Sequence, residues 1–107
     1  MGMSVAAEGE TAVVRVDGHL LVGNRKELQH HVLTALEQGT RNVVVDLAAS
    51  DYVDSAGLGT LVLLAKRVRA VGGALRLANA NDDVQALLTL TKLDTVFGTD
   101  AGATRAA

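Results

Sequence analysis

The chain contains no cysteine, no proline and no tryptophan, and its only aromatic side chains are Tyr52 and Phe97. Without cysteine there is no disulfide framework, no thiolate zinc site and no catalytic thiol. With so few rings it lacks the stacking platforms that single-stranded nucleic acids use. Ten basic residues against 12 acidic ones leave a net charge of −2, too small a field to draw nucleic acid or an acidic membrane. No apolar run approaches the roughly 18 residues of a membrane span, and the first residues lack a secretion signal's basic and apolar regions. These absences predict a cytoplasmic protein with no nucleic acid, no membrane and no cofactor among its partners.

What is present is aliphatic. Apolar residues make up 49% of the 107, so a core for one domain must come from Leu, Val and Ala. No linker-like stretch interrupts the middle of the chain. Ser4–Ala7 and Thr11–Val16 read as strands of a hairpin turning at Glu8-Gly9-Glu10, and Asp17-Gly18 ends the second. From Asn24 to Gln38, Leu28, Val32, Ala35 and Leu36 share one helical stripe, with Gly39 as the stop. Asn42–Leu47 is a continuous apolar run, the pattern of a strand covered on both faces. A second helix runs from Ser55 to about Val71, burying Leu58, Leu61, Val62, Ala65 and Val68, and Gly72-Gly73 terminates it. Ala74–Ala78 follows as a strand, Asp82–Thr91 as a helix on Val84, Leu87 and Leu88, and Asp94–Phe97 as a possible edge strand.

A hairpin followed by helix–strand–helix–strand–helix predicts an α/β domain. Its sheet is mixed, mainly parallel and four- to five-stranded, with right-handed crossovers and helices packed mostly on one face. The domain is expected over residues 1–98, with a flexible tail at 99–107. Sites on such sheets lie beyond the carboxyl ends of the strands, which points to the loop from Ala48 to Ser55.

Ser55 is the residue to explain. It starts a helix, where unpaired N–H groups and a partial positive charge favour an anion, so it can be a cap, a nucleophile or a phosphate acceptor. The nucleophile elbow G-x-S-x-G fails because Val53 stands where a glycine is needed, and none of His19, His30 or His31 is placed near Ser55. Asp46, Asp51 and Asp54 are better read as a strand end, a turn residue and a cap assistant than as a magnesium site. His30-His31 lacks the i, i+4 spacing of a metal pair; His31 borders the buried stripe and His30 faces solvent. Neither phosphate-binding glycine motif occurs, and Lys66, Arg67 and Arg69 suit a helix C-terminus. One surface resists the bland account. Ala56, Gly59, Thr60, Leu63 and Arg67 lie opposite the buried stripe and form a small-residue patch running from Ser55, suited to close docking of a protein.

Asp54-Ser55-Ala56-Gly57-Leu58-Gly59 resembles the D-S-[SAT]-G-L-G signature of STAS domains, specifically bacterial anti-sigma-factor antagonists. The resemblance extends through Gly18-His19-Leu20, Val43–Leu47, Gly72-Gly73-Ala74-Leu75, Leu90–Leu93 and Val96-Phe97. It implies a non-enzymatic partner switch in stress or sporulation signalling, with Ser55 as the phosphorylation site. The unphosphorylated antagonist would bind a serine-kinase anti-sigma factor and free a sigma factor. The kinase would phosphorylate Ser55 and break the complex, and a PP2C-type phosphatase would restore it. The partner surface implied is Asp54, Ser55, Ala56, Gly57, Gly59, Thr60 and Leu63, with Gly23 and Asn24 from the segment after the second strand. The protein would be a monomer or weak homodimer. An alternative within the same fold is a non-phosphorylated accessory or scaffold subunit of a transporter or signalling complex. Two departures from the family pattern stand out. Leu21 occupies the place of an acid three residues after Gly18, and Ala56 replaces a second hydroxyl, leaving Ser55 the only acceptor in the motif.

Overall fold

The computed structural model describes residues 2–18, 24–50, 52–93 and 97. Their order is β1 (Gly2–Glu8), β2 (Thr11–Asp17), α1 (Arg25–Glu37), β3 (Asn42–Asp46), α2 (Ser55–Ala70), β4 (Ala74–Ala78) and α3 (Asp82–Leu90). The strands form one four-stranded sheet in the order β1-β2-β3-β4. β1 is antiparallel to β2, and β2, β3 and β4 are mutually parallel. The hairpin turns on Gly9, whose φ of 65° is readily adopted only without a Cβ.

Register explains the core. Ala12, Val43 and Leu75 stand side by side across three strands, and so do Val14, Val45 and Leu77. All six are buried, in one cluster or its margin with Leu28 and Val32 of α1, Leu58, Leu61, Leu64, Ala65 and Val68 of α2, and Val84 and Leu88 of α3. The alternate residues, Val13, Val44 and Arg76, form the opposite row and are only half-buried. The expectation that β3 is covered on both faces is therefore corrected. The helices pack on one face, and Val44 sits on the other beside Val13. Leu36, Val62 and Leu87 are half-buried at the rim of the core rather than inside it.

Glycines set the connections. Gly39 ends α1 at φ 94°, donating to the Leu36 carbonyl at 3.0 Å. After α2, the Gly73 N–H donates to the Val68 carbonyl at 2.9 Å, and Ala74 N–H to the Arg41 carbonyl at 2.9 Å. The chain passes so close to Arg41 that a Cβ on Gly73 would collide with the Arg41 carbonyl oxygen. Of the expected edge strand, residues 94–96 lie outside the described residues; Phe97 is buried in the core. The tail at 99–107 also lies outside them. Among the described residues no helix is long and apolar enough to cross a membrane.

Candidate functional site

Because β2 and β3 are parallel, the helices that follow them both begin at the carboxyl edge of the sheet. The loop between β3 and α2 is pinned there by its neighbours. Leu47 N–H donates to the Ala78 carbonyl at 2.8 Å, and Gly18 N–H donates to the Ala49 carbonyl at 2.9 Å. Asp46 ends β3 as expected, its Oδ1 accepting from Ala48 N–H at 2.9 Å and from Asn79 Nδ2 at 3.0 Å. Ser50 is buried, and Val53 packs into the core. Tyr52, between them, is 53% exposed.

Asp54, not Ser55, caps α2. Its backbone is extended, its Oδ1 accepts from Gly57 N–H at 2.7 Å, and its carbonyl accepts from Leu58 N–H at 2.8 Å. Aspartate is among the best residues for this duty, since it satisfies an orphan donor and opposes the positive end of the helix. Ser55 is consequently the first helical residue, and it is exposed. Of the three jobs open to it, the structure removes the cap.

From Ser55 the exposed face runs along α2 through Gly59 and Leu63, which is 50% exposed. At about 100° per residue, Lys66 returns to within roughly 20° of Ser55 after three turns, whereas Arg67 is displaced by about 120°. Lys66 thus continues the face more directly than Arg67, a relation that counting in turns from Ser55 would have found. Two expected members are corrected. Thr60 is buried at 4% exposure, its Oγ1 donating to the Ala56 carbonyl at 3.0 Å, and Gly57 is buried beneath the first turn. Thr60 faces inward because this bond to the preceding turn satisfies its hydroxyl there. Ala56 is half-buried.

Asn24 precedes α1 on the same edge of the sheet, its carbonyl accepting from Glu27 N–H at 3.1 Å. Gly23, Leu21, His19 and Asp51 lie outside the described residues. His31 is half-buried and His30 exposed, as expected. His31 Nε2 lies 3.6 Å from Glu27 Oε2. Both histidines line an open groove of about 370 Å³ between β1 and α1, whose lining includes no residue of α2 or of the loop before it. The described residues thus bring no histidine to Ser55 to act as a base.

An exposed serine behind an aspartate cap, on a helix that starts from the carboxyl edge of a hairpin-led parallel sheet, accompanies a sequence match to the STAS domain over residues 3–105. The chain belongs to the STAS domain family. One relative is the candidate anti-sigma factor antagonist BtrV of Bordetella bronchiseptica, 30% identical over 91 residues, which are 78% of each chain. SpoIIAA of Bacillus, an anti-sigma factor antagonist, has been solved in two forms. The unphosphorylated form aligns at TM-score 0.71 and 21% identity over 82% of each chain. The phosphorylated form aligns at 0.73 and 20% identity over 90% of this chain and 88% of SpoIIAA. A sulfate transporter family protein of Wolinella succinogenes shares the STAS fold at TM-score 0.76 and 16% identity, over 89% of this chain and 77% of its own. At these identities the structural likenesses establish the fold, and the fold alone does not decide between regulator and transporter component.

Proposed function

We propose that this STAS domain is a cytoplasmic anti-sigma factor antagonist switched by phosphorylation of Ser55. While Ser55 is unmodified, the face of α2 led by Asp54 and Ser55 and continued by Gly59 and Leu63 binds a serine-kinase anti-sigma factor, releasing its sigma factor. Transfer of phosphate to the Ser55 hydroxyl ends the complex, and a PP2C-type phosphatase resets it. Asn24 and Gly23, with the half-buried Ala56 of the first turn, complete the contact region. The domain itself catalyses nothing.

The single observation that carries this reading is that Ser55 is exposed at the start of α2 while Asp54 does the capping. Among the described residues no hydrogen bond ties the hydroxyl into the fold. A phosphate there adds about −1.5 to −2 charges at neutral pH. The positive end of α2 tolerates that charge within the domain. At a protein interface beside Asp54 the same charge, if left unpaired, costs several kcal/mol, and each 1.4 kcal/mol is tenfold in affinity. The existence of phosphorylated SpoIIAA with the same fold agrees with a modification that leaves a STAS domain folded.

The likeness to a sulfate transporter family protein favours a second reading, a STAS accessory domain of a transporter or signalling complex in which Ser55 is never modified. One experiment separates the two. Incubation with the serine-kinase anti-sigma factor of the same organism and ATP should add the mass of one phosphate to the wild-type protein and nothing to Ser55→Ala. No phosphorylation and no complex with any such kinase would overturn the switch.

A further inference from the structure

The chain has two aromatic side chains, and the fold uses them differently. Phe97 is buried in the core, whereas Tyr52 is 53% exposed on the loop that leads into α2. An aromatic side chain can bury roughly 150–250 Å², and about half of that area is still open on Tyr52. The backbone that carries the ring is held on both sides. Ser50 N–H donates to the Leu47 carbonyl at 3.0 Å, Gly18 N–H donates to the Ala49 carbonyl, and Ser50 and Val53 are themselves buried. Two residues after Tyr52, Asp54 caps α2. The ring is thus presented by a fixed loop, and a protein that covers it has little backbone left to order.

We propose that Tyr52 is the anchor of the interface with the anti-sigma factor, the side chain on which most of the affinity rests. This inference rests on the antagonist reading and adds to it where the binding energy lies. Distance places Tyr52 in the same interface as Ser55. Three residues of chain span at most about 11 Å. A standard protein–protein contact covers about 800 Å² on each side, a disc of roughly 16 Å radius. A kinase that reaches the Ser55 hydroxyl with a contact of that size covers Tyr52 as well. Leu63 is also within reach, about 12 Å from Ser55 along α2 at 1.5 Å per residue. Residue type separates the two. Tyrosine is enriched among the side chains that dominate interface affinity, and leucine is under-represented among them. No other aromatic ring is exposed.

An anchor three residues from Ser55 sets what a phosphate does. The added charge falls beside the desolvated centre of the contact, where it cannot be screened as it would be at a wet rim. The ring itself does not touch the reacting hydroxyl. It holds the kinase equally before and during phosphate transfer, so its loss raises KM and leaves kcat in place.

The test uses the intact chain with the serine-kinase anti-sigma factor of the same organism. Tyr52→Ala should weaken the complex by about tenfold or more in calorimetry, and by more than Leu63→Ala does. Tyr52→Phe, which keeps the ring, should bind nearly as well as wild type. With ATP, Tyr52→Ala should show a raised KM for phosphorylation of Ser55 at near wild-type kcat. A second measurement needs no variant. Because Tyr52 is the only tyrosine, incorporation of meta-fluorotyrosine gives one fluorine resonance. That resonance should shift when the kinase is added without ATP and return once Ser55 is phosphorylated. Four results would overturn the anchor and leave the antagonist reading standing: an unmoved resonance while the kinase binds, a larger loss in Leu63→Ala, Tyr52→Phe as weak as Tyr52→Ala, or a fall in kcat at unchanged KM. Absence of any complex with the wild-type chain would overturn both.

Discussion

Gly59→Ala separates what the fold needs from what the surface needs. Gly59 is the fifth residue of the 16-residue α2 and is exposed. It is not among the glycines of positive φ, and a Cβ built there meets no atom within 4 Å. Nothing inside the domain therefore calls for glycine. Glycine in a helix interior is about 0.5–1 kcal/mol less stable than alanine, because the unfolded chain loses more freedom on folding. The substitution should raise stability by about that amount, equivalent to about 2–8 °C in Tm for a domain of this size. Urea or thermal denaturation followed by circular dichroism measures it directly. On the proposed docking face the same methyl group would stand in the path of a closely packed partner, so affinity there should fall as stability rises. A less stable variant would show that the fold does require the glycine. A more stable variant with unchanged partner binding would refute the idea that glycine is kept there for close docking.

Other substitutions test the division of duties along the same helix and its return. Asp54→Ala should cost about 0.5–2 kcal/mol through loss of the cap bond to Gly57, whereas Ser55→Ala should stay within about 0.5 kcal/mol of wild type; chemical denaturation distinguishes them, and equal losses would mean that both residues cap. Ser55→Asp should keep the wild-type circular dichroism spectrum and Tm, or gain about 0.3–1 kcal/mol from the helix dipole, while weakening anti-sigma binding by about tenfold or more in calorimetry; retained binding by a folded variant would count against exclusion by charge. Gly73→Ala should cost about 1–3 kcal/mol by overpacking, toward the upper end because the obstructing atom is the Arg41 carbonyl and not a flexible side chain; a neutral result in urea denaturation would show that the turn into β4 can yield.

The order and ends of the elements were legible because they are marked by local chemistry. Gly9, Gly39 and Gly72-Gly73 fall at the turns, and the strand Ala74–Ala78 has the bounds its alternation predicts. The coverage of β3 was not legible. Three consecutive valines satisfy a strand buried on both faces and a strand with one half-buried face equally well, and only the placement of the helices decides. Thr60 illustrates the same limit on α2. A hydroxyl at that position reads as polar and outward, yet its bond to the Ala56 carbonyl lets it turn inward. The choice between Asp54 and Ser55 as cap was beyond the sequence for a related reason. Both residue types cap well, and a helix begun one residue earlier or later buries the same stripe of Leu58, Leu61, Ala65 and Val68.

That one-residue choice decides where charge can be added without refolding. The cap bond from Asp54 occupies Gly57 N–H, and the Asp54 carbonyl takes Leu58 N–H, so the first two N–H groups of α2 remain without an intrahelical partner. A negative group on Ser55 arrives beside them at the positive end of the helix, where it is favoured by about 0.3–1 kcal/mol. The same group on Thr60 would have to break the 3.0 Å bond to Ala56 and enter the core. Had Ser55 been the cap, the oxygen that holds the first turn would have become the ester oxygen of the phosphate, a poorer and more crowded acceptor, and modification would have disturbed that turn. With Asp54 as the cap, a phosphate on Ser55 would change what can dock on α2 and would leave the helix itself supported. A switch of this kind needs no second conformation of the domain, only a partner face that cannot accommodate the charge.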